Sequence, residues 1–426
     1  MKKLTLLLLA LLCLPLMTRT EAQDRINLIG NWQFSFEKNG ELSTVTLPRT
    51  TDTNQKGTPC TNKTETTHLT RLYSYKGKAW YSREVVIPKE WKKQEVILFL
   101  ERTKPTDIYI DGTLVSSSND ISTPQMHRLG KLKPGRHHLM IMVDNGSRVP
   151  EQIYSSSHAY TEDTQTNWNG IIGEIYLQEG EMRKATRPIS VLPCFREFHI
   201  EGKHFYADGH ETFLRGKHDA CVWPLTGHVP MDTLSWKKYL NTCKEYGINH
   251  IRFHSWCPPE AAFAVADELG IYLQPELPFW GDFNAKDSVL MTFLHKEGEN
   301  ILRTYSHHPS FVMLSLGNEL WGSIDEMAKF VSDFRKIAPD KLYTFGSNYY
   351  LGYQGVKPGM DYFTTCRTGG EAWGKYNTHT RGSFSFADAY DGGILNHFRP
   401  DSSMTLDEGC ALSSVPVISH ETGQFQ

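Results

Sequence analysis

Phe311-Val312-Met313-Leu314-Ser315-Leu316-Gly317-Asn318-Glu319 sets an apolar run against a polar end. Apolar residues at successive positions suit a parallel strand buried on both faces. A second run, Val415-Pro416-Val417-Ile418-Ser419-His420-Glu421, repeats the arrangement and again stops at a glutamate. Outward from these runs, strand and helix signals alternate. Phe213-Leu214-Arg215-Gly216 reads as a first strand. Asp232 caps a helix with Trp236, Leu240 and Cys243 on one face, and Gly247 stops it. Residues 248–256 form the next strand. Pro258-Pro259 opens a second helix that Gly270 ends. Residues 271–277 make a third strand, and a long helix over 288–307 leads into the Glu319 strand. A helix over 325–337, a strand over 341–345 and a sixth strand over 361–365 follow, and 415–420 is the seventh. Units repeating in phase favour a (β/α) barrel over an open sheet. No eighth unit follows, which leaves an unpaired edge.

The first half is different. Residues 94–100 form a buried strand, and Ile108-Tyr109-Ile110, Asp111-Gly112, Thr113-Leu114-Val115 is a hairpin around a two-residue turn. Pro134-Gly135 turns into another strand, and 171–177 closes the set. Many short strands with Gly, Pro and Asn turns predict a β-sandwich. The polar stretch 50–70 reads as a long loop.

Composition excludes several functions. The chain has 426 residues, enough for two or three domains, and a net charge of −3. Nothing in that balance calls for nucleic acid or an anionic membrane. Lys2 and Lys3 precede an apolar stretch over 4–17, followed by Thr20-Glu21-Ala22, the pattern of a secretory signal cleaved after Ala22. The expected location is secreted or periplasmic. A lipid anchor at Cys13 is disfavoured by Leu12 before it. No other stretch is long enough for a membrane span. The cysteines beyond the signal, Cys60, Cys194, Cys221, Cys243, Cys257, Cys366 and Cys410, are odd in number and form no CxxC pair. Neither a zinc site nor a full disulfide framework is expected, and no metal or cofactor.

The chemistry rests on Glu319 and Glu421. Carboxylates at the C-terminal mouth of barrel strands are placed where that architecture reacts, and two of them fit a glycosidase pair. At these residues the chain resembles glycoside hydrolase family 2, which contains β-galactosidases, β-glucuronidases and β-mannosidases. Trp80-Tyr81-Ser82-Arg83-Glu84-Val85-Val86-Ile87-Pro88 is similar to the start of the family's jelly-roll domain. Trp168-Asn169-Gly170-Ile171-Ile172-Gly173-Glu174-Ile175 is similar to its closing strand. Gly317-Asn318-Glu319 matches the acid/base motif, and Ser419-His420-Glu421 occupies the nucleophile position. The resemblance implies a jelly-roll β-sandwich followed by an incomplete (β/α)8 TIM barrel. The expected organisation is a signal over 1–22, the jelly roll over 23–180, a short β connector over 181–212 and the barrel over 213–426. The connector stands where the family carries an immunoglobulin-like domain. Two departures stand out: that domain and the last barrel unit are missing, so the chain resembles a truncated member. Arg252-Phe253-His254-Ser255-Trp256-Cys257-Pro258 also departs from the family's Arg-x-x-His-Tyr-Pro.

The resemblance implies a retaining exo-β-glycosidase, with Glu319 as acid/base, Glu421 as nucleophile and Asn318 holding the sugar 2-hydroxyl. Arg215 at the mouth of strand one holds Glu421 ionised or forms a structural ion pair. His254, Trp256, Glu276 and Trp280 end strands two and three and are candidates to touch substrate, Trp280 as stacking platform or as core. Asn348 ends strand five and His420 precedes the nucleophile. His307-His308 reads as a helix end. The partner expected is carbohydrate, and the family permits a homodimer. With no pair of residues dedicated to a uronic carboxylate, a neutral sugar such as galactose is favoured. The rival reading is a catalytically inactive carbohydrate-binding fragment, and a third is a sandwich scaffold with a vestigial barrel.

Overall fold

The computed structural model describes residues 25–62, 71–162, 167–180, 197–346, 356–365 and 413–419. Two antiparallel sheets face one another in its first part. One orders Arg25–Asn27, Gly170–Glu179, Val96–Thr103 and Gln125–Gly130, with Arg49–Thr50 on its side. The other orders Thr113–Ser118, Thr106–Ile110, Gly135–Asp144, Lys78–Ile87, Gly30–Ser35 and Ser43–Leu47. Alternating residues of both sheets, among them Leu98, Leu100 and Leu177 from one and Trp32, Tyr81 and Ile141 from the other, fill the space between. The hairpin at Asp111-Gly112 forms, both residues at positive φ (49° and 84°) as its tight turn requires.

A three-stranded antiparallel sheet, Phe198–Glu201, His204–Ala207 and His210–Thr212, follows. Phe198, Phe205 and Ala207 pack on Tyr272, Val312 and Met313, which open the next strands, so this sheet closes the N-terminal end of the parallel part.

The parallel strands come in chain order: Gly216–Asp219, His250–Phe253, Tyr272–Pro275, Met313–Ser315, Leu342–Thr344, Phe363–Thr365 and Val417–Ser419. The first three pair in register. The bridges Leu273 to Phe311 and Glu276 to Ser315 join the third to the fourth. The fourth pairs with the fifth and the sixth with the seventh, while Asp361 N donates to Tyr343 O between them. The helices Thr233–Glu245, Glu260–Leu269, Ser288–Tyr305 and Ile324–Ile337 cover them. Their ends follow the sequence: Asp232 accepts from Ser235 N, and Gly270 sits left-handed at φ 71°. Trp236, Leu240 and Cys243 are buried on one helix face. Cys60, Cys221, Cys243 and Cys257 are free thiols. Among the described residues no helix is long and apolar enough to cross a membrane.

Two strand boundaries differ from the sequence reading. The first strand begins at Gly216, so Phe213, Leu214 and Arg215 are its lead-in. The Phe311–Glu319 run is not one strand. It breaks at Gly317 (φ 139°), where a Cβ would lie 2.4 Å from Phe279 O. Chain restarts as Asn318–Gly322, paired with Trp280–Phe283.

Sandwich and parallel part share one apolar core, in which Ile121, Val149, Ile153 and Tyr160 meet Trp236, Phe253 and Trp256. Polar bonds fix the junction. Buried Arg102 donates to the carbonyls of Ile121, Cys257 and Pro258. Glu297 accepts from the backbone of Ile121 and Ser122.

Candidate active site

Four of the residues singled out in the sequence come together at the C-terminal end of the parallel strands. Asn318 pairs in register with Trp280, and the Trp280 indole meets the His254 ring edge-on at 5.5 Å. Glu319 follows Asn318 and is half-buried. Its φ of 39° is left-handed, a strained setting for a side chain with a Cβ and one concentrated at functional sites. The bend at Gly317 produces it: the backbone passes against Phe279 and turns Asn318 and Glu319 off the line of the fourth strand.

Beneath these lies an ion pair. Arg252 and Glu276 are buried, and Arg252 Nε donates to Glu276 Oε1 at 2.7 Å. Ser255 N donates to Glu276 Oε2 at 2.8 Å. Arg252 Nη2 donates to Asn318 Oδ1 at 2.5 Å. Arginine only donates, so the amide oxygen must face it and the NH2 group must face away. Asn318 is 1% exposed, and its Nδ2 has no hydrogen-bond partner among the described residues. A buried orphan donor is uncommon and costly, and a ligand acceptor is a standard remedy.

The sandwich contributes one wall. His158, buried on a loop after the helix Glu151–Ser156, packs 4.3 Å from the His254 ring; His218 lies 4.8 Å from that ring and 6.5 Å from His158, so the three imidazoles form one cluster. Ser255, also left-handed (φ 51°), stitches that wall in place. Its hydroxyl accepts from His158 N at 3.0 Å and its carbonyl accepts from Ser157 Oγ at 3.0 Å. Asp219, at the end of the first strand, accepts from the Tyr239 hydroxyl at 2.5 Å. Burial, then the Asp219 charge, holds that phenol far above its usual range, so it stays a donor.

Other expected residues lie elsewhere. Arg215 precedes the first strand, level with Asn249, and donates from Nε to Gly247 O at 2.7 Å. It is exposed at the opposite end of the strands from His254, because the strand starts three residues later than its sequence suggested. Trp256 is core, its indole N–H bonded to Asp219 O. Glu276 is held by Arg252 and Ser255 beneath the mouth. Glu421, Asn348 and His420 lie outside the described residues. Trp280 is 39% exposed, so it presents a face. The sequence passed over His158 and the Arg252–Glu276 pair, and offered His218 only as a weak pair with Asp219, without metal spacing. An arginine inside one buried apolar strand and a glutamate at the end of the next was the one available signal.

No protein-family model matches the chain. In sequence it is 25% identical over 142 residues to a protein of Formosa agariphila provisionally named a β-glucuronidase, a match covering 32% of this chain and 17% of that one. In structure it is similar to a glycoside hydrolase family 2 β-galacturonidase from Eisenbergiella tayi bound to galacturonate. The TM-score is 0.60 at 14% identity, over 93% of this chain and 89% of that one. It is also similar to Bacteroides uniformis β-glucuronidase 2 covalently bound to cyclophellitol-6-carboxylate aziridine. There the TM-score is 0.59 at 14% identity, over 80% of this chain and 55% of that one. The chain thus spans about half the length of that enzyme and a sixth of the Formosa protein. The fold is a multidomain, strand-rich one shared with glycoside hydrolase family 2 enzymes. The resemblance to that family read from Gly317-Asn318-Glu319 holds at the level of fold.

Proposed function

We propose that the chain is a member of glycoside hydrolase family 2 and an exported, retaining exo-β-glycosidase. In this reading the sandwich is a jelly roll over 23–180, 181–212 is a short connector, and 213–426 is an incomplete (β/α)8 barrel. A signal over 1–22 directs the chain to the periplasm or the exterior. Glu319 protonates the departing oxygen and then acts as base toward water. Glu421, two residues beyond the seventh strand, attacks the anomeric carbon. Retention requires the two carboxyls about 5–5.5 Å apart. Asn318 donates from Nδ2 to the sugar 2-hydroxyl, a bond that strengthens as positive charge develops at the ring. Trp280 stacks on the sugar face beside His254, and Asn348 and His420 complete the rim. A homodimer is the assembly proposed.

The observation that carries this reading is the Asn318 amide. Its oxygen is committed to Arg252, its nitrogen is a buried donor with no protein partner among the described residues, and a glutamate follows it in strained backbone. The names of the similar proteins include a galacturonidase and glucuronidases, so the sugar class proposed is a β-linked hexose or hexuronic acid, the neutral galactoside being the sequence-based choice.

The test is hydrolysis of aryl β-galactosides, β-glucuronides and β-galacturonides by the chain and by its Glu319→Gln form. Turnover of one class by the wild type, reduced roughly 10²–10⁴-fold in the variant, is expected from loss of a general acid. Turnover by neither, with sugar binding retained, would replace the enzyme by a carbohydrate-binding fragment.

A further inference from the structure

Away from the mouth, the structure brings together three side chains of metal-ligand type, two adjacent in the chain and one distant from them. Glu260 opens the helix Glu260–Leu269, while His307 and His308 lie in the turn between the helix Ser288–Tyr305 and the fourth parallel strand. One ligand atom from each lies within 4.8 Å of the other two. His307 is exposed, Glu260 half-buried and His308 buried. The spacing is 47 residues and then one, which matches no sequence motif for a metal.

The surroundings are organised as metal sites are. His308 Nε2 faces Glu260 Oε1 at 3.0 Å, and its other nitrogen, Nδ1, meets Asp267 Oδ2 at 2.6 Å. Asp267 is itself buried and pinned, its second oxygen accepting from Ser310 N at 2.8 Å. A carboxylate on the far nitrogen fixes the tautomer, aims the near nitrogen and raises its basicity, the usual outer support of a ligating histidine. Phe263 stacks on the His308 ring at 5.4 Å and holds its plane. His307 also lines a cavity of about 450 Å³, whose wall includes Pro309, Phe311, Asp340 and Lys341. Because His307 is exposed, an ion held by the three groups would have an open side there for a water ligand.

We propose that Glu260, His307 and His308 hold a divalent transition-metal ion, Zn²⁺ by their two-imidazole, one-carboxylate chemistry. The ion takes the place of the proton that His308 Nε2 shares with Glu260, and that proton leaves to solvent. Tetrahedral zinc sets its ligands about 3.4 Å apart. The three ligand atoms stand within 4.8 Å of one another, so binding draws them together by at most about 1.4 Å. The bound ion ties the start of one helix to the turn that feeds the fourth strand, a structural role independent of the glycosidase reading.

Tag-free full chain is dialysed against submicromolar Zn²⁺ and its metal content measured, beside His307→Ala and Glu260→Gln. His307 is exposed and glutamine still bonds His308, so both variants keep the fold. The wild type is expected to hold one equivalent more than either variant, with affinity weakened at least about tenfold in each. Co²⁺ is expected to give the intense visible absorption of a four-coordinate site in the wild type alone. Melting temperature is expected to rise with Zn²⁺ in the wild type and not in the variants. Equal uptake by all three proteins, or a weak octahedral Co²⁺ spectrum in the wild type, would overturn the proposal and leave a proton-filled carboxylate–imidazole cluster.

Discussion

Arg252 Nη2 and Asn318 Oδ1 lie 2.5 Å apart, joining the end of the second strand to the residue before Glu319. The bond reaches across 66 positions of the chain. It decides which end of the amide is offered to a ligand, because a guanidinium accepts nothing. Asn318→Asp keeps the Arg252 contact and removes the free donor. On a full glycoside, kcat/KM is expected to fall about 10²-fold, the worth of a bond made most strongly in the transition state. On the matching 2-deoxy glycoside, the same variant and the wild type are expected to differ little. Equal losses on both substrates would mean that Asn318 does not read the 2-hydroxyl.

The same arginine sets a stability prediction. Glu276 is fully buried, and Arg252 is its charged partner at 2.7 Å. Arg252→Met leaves a buried carboxylate uncompensated, which costs about 3–5 kcal/mol in urea unfolding. Arg252→Met with Glu276→Leu is expected to regain most of that loss, since replacing both members of a buried pair by apolar groups is often neutral. A double variant no more stable than the single one would show that the pair shapes the core by more than its charge.

Much of the scaffold was legible. Asp232, Gly247 and Pro258-Pro259 mark helix ends by local backbone chemistry, and Asp111-Gly112 marks its hairpin for the same reason. Most strands of the parallel series lie within the apolar runs and are shorter than them, whereas the first is displaced to Gly216–Asp219. What escaped is non-local or geometric. The sequence places Arg215 at the mouth because Phe213 and Leu214 before it are as apolar as a strand, and hydrophobicity cannot tell lead-in from ladder. The bend at Gly317 depends on how closely Phe279 passes, a fact of packing. His158 reaches His254 from the sandwich across 96 positions, and Glu260 reaches His308 across 48, distances over which periodicity carries nothing. For Glu421, Asn348 and His420, the expectation still rests on sequence alone.

Stability should respond to acid through opposed groups. Burial pushes the Glu297 carboxyl up from 4.5 to about 7, with Asp120 adding to the effect. The folded chain keeps that proton where the unfolded chain has lost it, so this group's contribution falls as pH rises from about 4.5 to 7. Burial pushes His250 and His127 down from 6.5 to about 4. Their contributions are whole above 6.5 and are lost as pH falls toward 4. The histidines outweigh the glutamate, so the chain weakens toward acid. Glu297→Gln removes the opposing slope. The gain in unfolding free energy between pH 4.5 and 7 is expected to be larger in this variant by about 2–3 kcal/mol. Parallel profiles for the two proteins would show that Glu297 is ionised throughout.

Gly298 offers a case in which two effects disagree in sign. It lies inside the helix Ser288–Tyr305, where alanine normally improves on glycine by about 0.5–1 kcal/mol. Here a Cβ would stand 2.2 Å from Phe334 Cζ, with two further ring atoms within 2.8 Å. Phe334 is fully buried on the helix Ile324–Ile337, so its ring has no solvent to move into. Overpacking of this kind costs about 1–3 kcal/mol, and a contact so short belongs at the upper end. Packing therefore outweighs propensity, and Gly298→Ala is expected to lose about 1–2 kcal/mol net in chemical denaturation. The Phe334 carbonyl also accepts from the Tyr343 hydroxyl, whose residue sits in the fifth parallel strand. Displacing Phe334 should therefore loosen that strand, and amide exchange at residues 342–344 is expected to quicken in the variant. A stabilised Gly298→Ala protein would mean that the two helices stand farther apart than this contact requires.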